Sequence, residues 1–241
     1  MARLSATGHE NQLTTLFKRF DLTADVPITT VGLGPAGQHP VLKVRDFIAY
    51  LSQQQRLDVL FCGNKASDYS EFWSLWRLLQ PTHPIFQKRR PLSACIPLWV
   101  HADEGTSLKK RPLMVLQYQP VMGHGSTRAS GINMVGHSLT TRFLYSVMAG
   151  HVYTGKQKQN QPLHALVEQF ATELGNCFEE PLQVQWNGRA CKVWLVVLGM
   201  KGDWPALAKL GKLQRHHLRN TTAEGGGAGV CHLCMGGRAN K

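Results

Sequence analysis

The order of the apolar segments between Ala94 and Leu218 constrains this chain more than any other feature. Cys95–Val100 is a short apolar run that stops at His101-Ala102-Asp103-Glu104-Gly105, a strand entering a loop. Leu113–Gln119 is a second strand and Thr141–Met148 a third, separated by a Gly- and Ser-rich loop over Gly123–Gly136. Leu163, Leu166, Val167, Phe170 and Leu174 then recur at helical spacing. Leu182–Trp186 alternates apolar and polar residues up to the hairpin turn Asn187-Gly188. Lys192–Met200, the most apolar strand, ends at Lys201-Gly202-Asp203, and Trp204–Leu218 reads as a helix with Pro205 near its start. Three strands, a helix and a returning strand predict an α/β fold: a mixed sheet with flanking helices, in which Lys192–Met200 lies beside Ala94–Val100.

The preceding residues read as mostly helical. Leu13, Leu16, Phe17 and Phe20 share one helical face, and Val44, Phe47, Ile48 and Leu51 share another within Val41–Gln54. Asp68 and Glu71 have capping-box spacing ahead of Phe72, Leu75, Trp76 and Leu79, and Pro81 and Pro84 stop that helix. The pattern divides the chain into a helical N-terminal region (1–91), an α/β core (92–222), and a Gly-rich linker with a C-x-x-C tail (223–241).

The net charge is +12, and Leu182–Lys241 holds nine basic residues against two acidic ones, +7 of that total. A concentrated basic surface attracts phosphate backbones through counterion release, so nucleic acid, DNA first, is the expected partner. Lys209, Lys212 and Arg219 recur at helical spacing and, with the run Lys109-Lys110-Arg111, are the candidate backbone contacts. No apolar run approaches a membrane span, so no membrane partner is expected. Met1–Leu13 lacks a secretory apolar stretch, and Cys62, Cys95, Cys177 and Cys191 sit singly among apolar neighbours. Both features point to an intracellular, reducing compartment. No oligomeric state follows from the sequence.

Three constellations carry chemistry. Asp103 and Asp203 each follow an apolar strand, and strand ends are where α/β sheets build sites. Two carboxylates gathered there suit Mg²⁺ or Mn²⁺ and a phosphodiester, while each also has a plain structural role: a turn at Asp103-Glu104-Gly105, a helix N-cap at Asp203. Cys231-His232-Leu233-Cys234 offers two thiolates to a Zn²⁺ ion, with His216 and His217, or ligands beyond Lys241, as the missing half; a reduced tail is the alternative. Gly32-Leu33-Gly34-Pro35-Ala36-Gly37 has G-x-G-x-x-G spacing, but a nucleotide-dependent enzyme needs a helix opening at Gly37, and Pro35 and His39-Pro40 oppose one.

Pro97–Ser107, Leu139–Arg142, Lys201–Leu207 and Gly229–Cys234 together resemble a largely uncharacterised, multicopy protein type of unicellular algae, whose copy number implies mobile elements. More broadly, the chain resembles the RNase H-like core of DDE transposases: three antiparallel strands, a helix, and a fourth strand beside the first. That resemblance places the first acid at Asp103 and the second at Asp203, and implies a nuclear, DNA-processing enzyme. The family's third acid sits on a later helix; here only Glu224, in the Gly-rich linker, follows, so the resemblance implies an incomplete site, a fragment or decayed copy. A non-catalytic, zinc-dependent nucleic-acid-binding module is the alternative.

Overall fold

The computed structural model describes residues 24–106, 111–123 and 142–212, together with Thr15 and Arg19. Strands β1 (Ile28–Gly32) and β2 (Gln38–Leu42) form an antiparallel hairpin. Helices α1 (Val44–Gln53), α2 (Asp58–Phe61) and α3 (Ala66–Leu79) follow. Next come β3 (Cys95–Thr106), β4 (Pro112–Pro120), β5 (Phe143–Ala149), the short α4 (Gly150–Tyr153) and the long α5 (Gln161–Glu179). The hairpin β6 (Leu182–Trp186) and β7 (Arg189–Gly202) and helix α6 (Trp204–Leu210) complete the described order.

The main sheet is five-stranded and mixed, in the order β5-β4-β3-β7-β6. β3 pairs antiparallel with β4 and parallel with β7, from Cys95↔Trp194 to Ala102↔Gly202. The expected neighbours are therefore neighbours, and β7 extends two residues beyond the apolar run on which it was read. Alternation builds the core: Met114, Leu116 and Tyr118 of β4 are buried while Leu113, Val115 and Gln117 between them are partly exposed. α5 lays Leu163, Leu166, Phe170, Leu174 and Cys177 on this sheet, with Phe170 stacked on Tyr145 of β5 at 4.1 Å between centroids.

The N-terminal region differs from the mostly helical expectation, because residues 28–42 are a hairpin. Its turn is the Gly32–Gly37 loop. Gly34 and Gly37 have φ of +62° and +83°, and a 3-10 turn holding Pro35 closes with Leu33 N–H donating to the Gly37 carbonyl at 2.8 Å. β2 docks beside β5, where His39 Nε2 meets Ser146 Oγ at 2.9 Å and Ser146 Oγ donates to the Pro40 carbonyl. The cap of α3 also lies one turn earlier than read: Lys65 is the N-cap, and Asp68, at N3, accepts its backbone N–H at 2.8 Å.

No core boundary falls at Pro91. Trp73 of α3 is fully buried and its indole N–H donates to the Cys95 carbonyl at 2.9 Å; Phe61 meets Trp186 edge-on at 5.0 Å. One buried apolar cluster runs from Leu33 to Leu210. The basic run before Pro91 is part of this joint: Lys88 pairs with Glu179, and Arg90, almost wholly buried, donates to the Phe178 carbonyl between the Phe178 and Trp194 rings. Of the helix read over Leu13–Phe20 only Thr15 and Arg19 are described, and both are helical; Leu13, Leu16, Phe17 and Phe20 lie outside the described residues. Among the described residues no helix is long and apolar enough to cross a membrane.

Candidate active site at the shared end of β3 and β7

β3 outlasts its parallel partner. The last β3/β7 pair is Ala102↔Gly202, after which β7 turns into α6 while β3 continues beside β4 as far as Thr106. Asp103 therefore lies inside a strand, opposite Val115, and not in a loop after a strand end as the sequence suggested. The apolar run stops at Val100, but β4 supplies hydrogen-bonding partners for six residues more. Asp203 is the next residue after Gly202 and caps α6, its Oδ1 accepting the Ala206 N–H at 2.9 Å. Gly202 makes this junction close: a Cβ there would stand 2.2 Å from the Ala102 carbonyl oxygen. The two aspartates thus occupy corresponding positions, each one residue past the last pair of the adjoining parallel strands.

Strand alternation sorts the neighbours. Trp99, His101 and Asp103 share one face of β3, and the register sets Gly199 beside Trp99 and Lys201 beside His101. The Trp99 ring lies over Gly199, where a Cβ would be 2.7 Å from it. Gln117 Nε2 donates to His101 Nδ1 at 3.1 Å, so the neutral ring carries its proton on Nε2. Burial lowers the His101 pKa, Arg142 and Lys201 lower it further, and Asp103 and Asp203 oppose them. Burial, then Arg142, likewise lowers that of Lys201. Arg142, just before β5, keeps its Nε buried with no hydrogen-bond partner among the described residues.

No protein-family model matches this chain, and no curated protein matches it in sequence.

The opposite face of the same strand carries Glu104, which sequence reasoning passed over as a turn residue. Tyr153 Oη donates to it at 2.6 Å, and Lys209 of α6 pairs with it. Lys209, read as a phosphate contact on an open helix face, therefore faces inward in this structure; His164 Nε2 also meets its carbonyl oxygen at 2.9 Å. Burial raises the Glu104 pKa, but the hydrogen bonds from Lys209 and Tyr153 and the Lys209 charge outweigh it, leaving it below the ordinary value. Its contribution to stability is then complete above the unfolded value of about 4.3 and lost as pH falls through the lower folded value. Glu104→Gln should lower the urea midpoint near pH 7, and the deficit should shrink near pH 3. A deficit that is the same at both pH values would mean that packing, not charge, is lost.

Lys212 is exposed, and Arg111 stands at the start of β4. Lys109, Lys110, His216, His217, Arg219, Glu224, Cys231 and Cys234 lie outside the described residues, and with them the zinc reading. Among the described residues no three His, Cys, Asp or Glu side chains are grouped to hold a metal ion, so a cation here would have two carboxylates. The nucleotide reading of Gly32–Gly37 loses its requirement, because a strand and not a helix follows Gly37. A groove of about 550 Å³ between α5 and β7 is almost wholly apolar and offers no such chemistry. Sequence reasoning missed His101, Gln117, Arg142, Tyr153 and Lys201. Only His101 and Lys201 were recoverable, as residues two positions before each aspartate; His101 thereby shares the strand face of Asp103.

Proposed function

We propose that this chain holds an RNase H-like core that processes DNA, with Asp103 and Asp203 sharing a divalent cation at a phosphodiester. The observation that carries this reading is the parallel β3/β7 register, which brings the two acids to one sheet end. Three antiparallel strands, a helix and a fourth strand parallel to the first support the RNase H-like comparison. The antiparallel hairpin strand β6 outside β7 is this chain's own addition.

The donor set fits the ion. Mg²⁺ and Mn²⁺ take hard oxygen ligands and are commonly held by one or two carboxylates plus substrate phosphate. The helix cap engages Oδ1 of Asp203, and its second carboxylate oxygen carries lone pairs of its own. Such an ion supplies charge stabilisation to the attacking and leaving oxygens of a phosphodiester. The chain's own part is to hold the two carboxylates at the end of the paired strands β3 and β7, with Lys201 two residues before Asp203 on β7. α6 carries no acidic residue, so the third acid of the transposase resemblance has no counterpart there.

Calorimetric titration of Mn²⁺ tests this. Wild type should bind, and Asp103→Asn and Asp203→Asn should each weaken binding at least about tenfold. The Asp203→Asn protein should keep its urea midpoint, since Asn caps a helix about as well as Asp. An Asp203→Asn protein that binds Mn²⁺ like wild type would reduce this residue to a cap and end the two-carboxylate reading. The cap itself favours one alternative, a non-catalytic nucleic-acid-binding module with zinc at Cys231 and Cys234. That alternative is recognised by DNA binding without any Mn²⁺ binding.

A further inference from the structure

The face of β3 and β7 that leads to the two aspartates has a composition of its own. Along β3, Trp99, His101 and Asp103 follow at every second residue, so their Cα atoms are about 7 Å apart. That repeat is close to the step between successive phosphates of an extended single strand. Trp99 is partly exposed and its ring rests on Gly199, a position with no side chain to cover it. One step on, His101 presents its Nε2–H, fixed by the Gln117 hydrogen bond, and Lys201 stands in register beside it. Arg142 adds a second full charge from the β4–β5 side, with its Nε buried and unpartnered among the described residues. None of the ion pairs among the described residues involves Lys201 or Arg142. Lys88 and Lys209, by contrast, are paired internally, with Glu179 and Glu104. Two cations outside those ion pairs, beside an aromatic ring on a sheet face that is only half-buried, suit an anionic polymer with flat bases.

We infer that this face is a track for one strand of DNA, with a base stacked on Trp99 and a backbone phosphate held by His101, Lys201 and Arg142. The direction of the track carries the following phosphodiester to Asp103 and Asp203, and in this respect the inference rests on the two-carboxylate reading above. Stacking on an aromatic side chain is tolerant of sequence, because every base has a π-face. The track therefore selects single-stranded over duplex DNA and is weakly selective for sequence. A duplex keeps its bases stacked on one another and has none to offer Trp99.

Fluorescence anisotropy of a labelled oligothymidine in EDTA tests the track without the metal. Wild type should bind the single strand more tightly than a duplex of the same length. Trp99→Ala should weaken binding at least about fivefold, as expected for loss of one stacked base. The double variant Lys201→Gln with Arg142→Gln should weaken it too, and should flatten the slope of log affinity against log salt by about 1.4, for two charges on a single strand. Lys192→Gln, which removes an exposed lysine from the far part of β7, should change the affinity less than the double variant and is the control for net charge. Urea midpoints and circular dichroism establish that each variant is folded. Asp103→Asn should bind the strand at least as tightly as wild type in EDTA, since a like charge is removed. Retained strand binding with no Mn²⁺ binding would sink the two-carboxylate reading and leave the track standing. Equal losses in Lys192→Gln and the double variant, an unchanged affinity in Trp99→Ala, or tighter binding of duplex would each overturn the track.

Discussion

Gly202→Ala should destabilise the protein by about 2–3 kcal/mol and weaken Mn²⁺ binding in the same molecule. The added Cβ would stand 2.2 Å from the Ala102 carbonyl oxygen and 3.3 Å from its carbon. Both are backbone atoms in a paired strand, so no flexible side-chain end can swing away. Relief requires β3 and β7 to part at the pair Ala102↔Gly202, the last one before the two aspartates. Forcing even a methyl group into a closed contact of this kind costs about 1–3 kcal/mol. Gly175, inside α5, is the useful comparison, because a Cβ there meets nothing within 4 Å. Gly175→Ala should therefore stabilise by about 0.5–1 kcal/mol through helix propensity. Urea unfolding at constant slope measures both, and Mn²⁺ calorimetry reads the site. A Gly202→Ala protein as stable as wild type would mean that the strands approach less closely than described.

Trp73→Ala should cost about 3–5 kcal/mol, the range for removing a fully buried aromatic side chain. The ring packs edge-on to Phe72 at 5.1 Å and to Phe86 at 6.2 Å. Its N–H also satisfies the Cys95 carbonyl at the start of β3, and losing the donor strands a buried acceptor. Trp73→Phe retains most of the apolar contact and should cost only about 1–3 kcal/mol, the part due to that acceptor. Because one apolar cluster joins residues 33–91 to the sheet, tryptophan fluorescence and far-ultraviolet dichroism should report a single coincident transition in wild type. Two separated transitions would restore a boundary near Pro91.

The sequence by itself determined the elements whose periodicity is strong and local. Leu163, Leu166, Phe170 and Leu174 mark the buried stripe of α5, and those four are buried in the structure. The apolar runs around Leu98, Leu116 and Val196 mark β3, β4 and β7, and the helix between the third and fourth strands implies that β7 returns beside β3. Both aspartates stand at that shared sheet end, which the run-and-stop pattern also indicates.

What only the tertiary structure decided depends on partners distant in sequence. Asp103 is in a strand because β4 pairs with it, and an apolar run cannot register a hydrogen-bonding partner. Residues 28–42 form a hairpin although His39-Pro40 is a poor strand signal; β2 is held by Ser146, more than a hundred residues away. Lys209 lies on a helix whose basic spacing suggests an open face, yet Glu104 on β3 draws its ammonium inward. Arg142 bears on His101 and Lys201 because the sheet order brings β5 to the same sheet as β3 and β7, with β4 between. Local pattern reports which face of an element is apolar. Which strand lies alongside it, and therefore which charges meet, is settled by long-range packing and register.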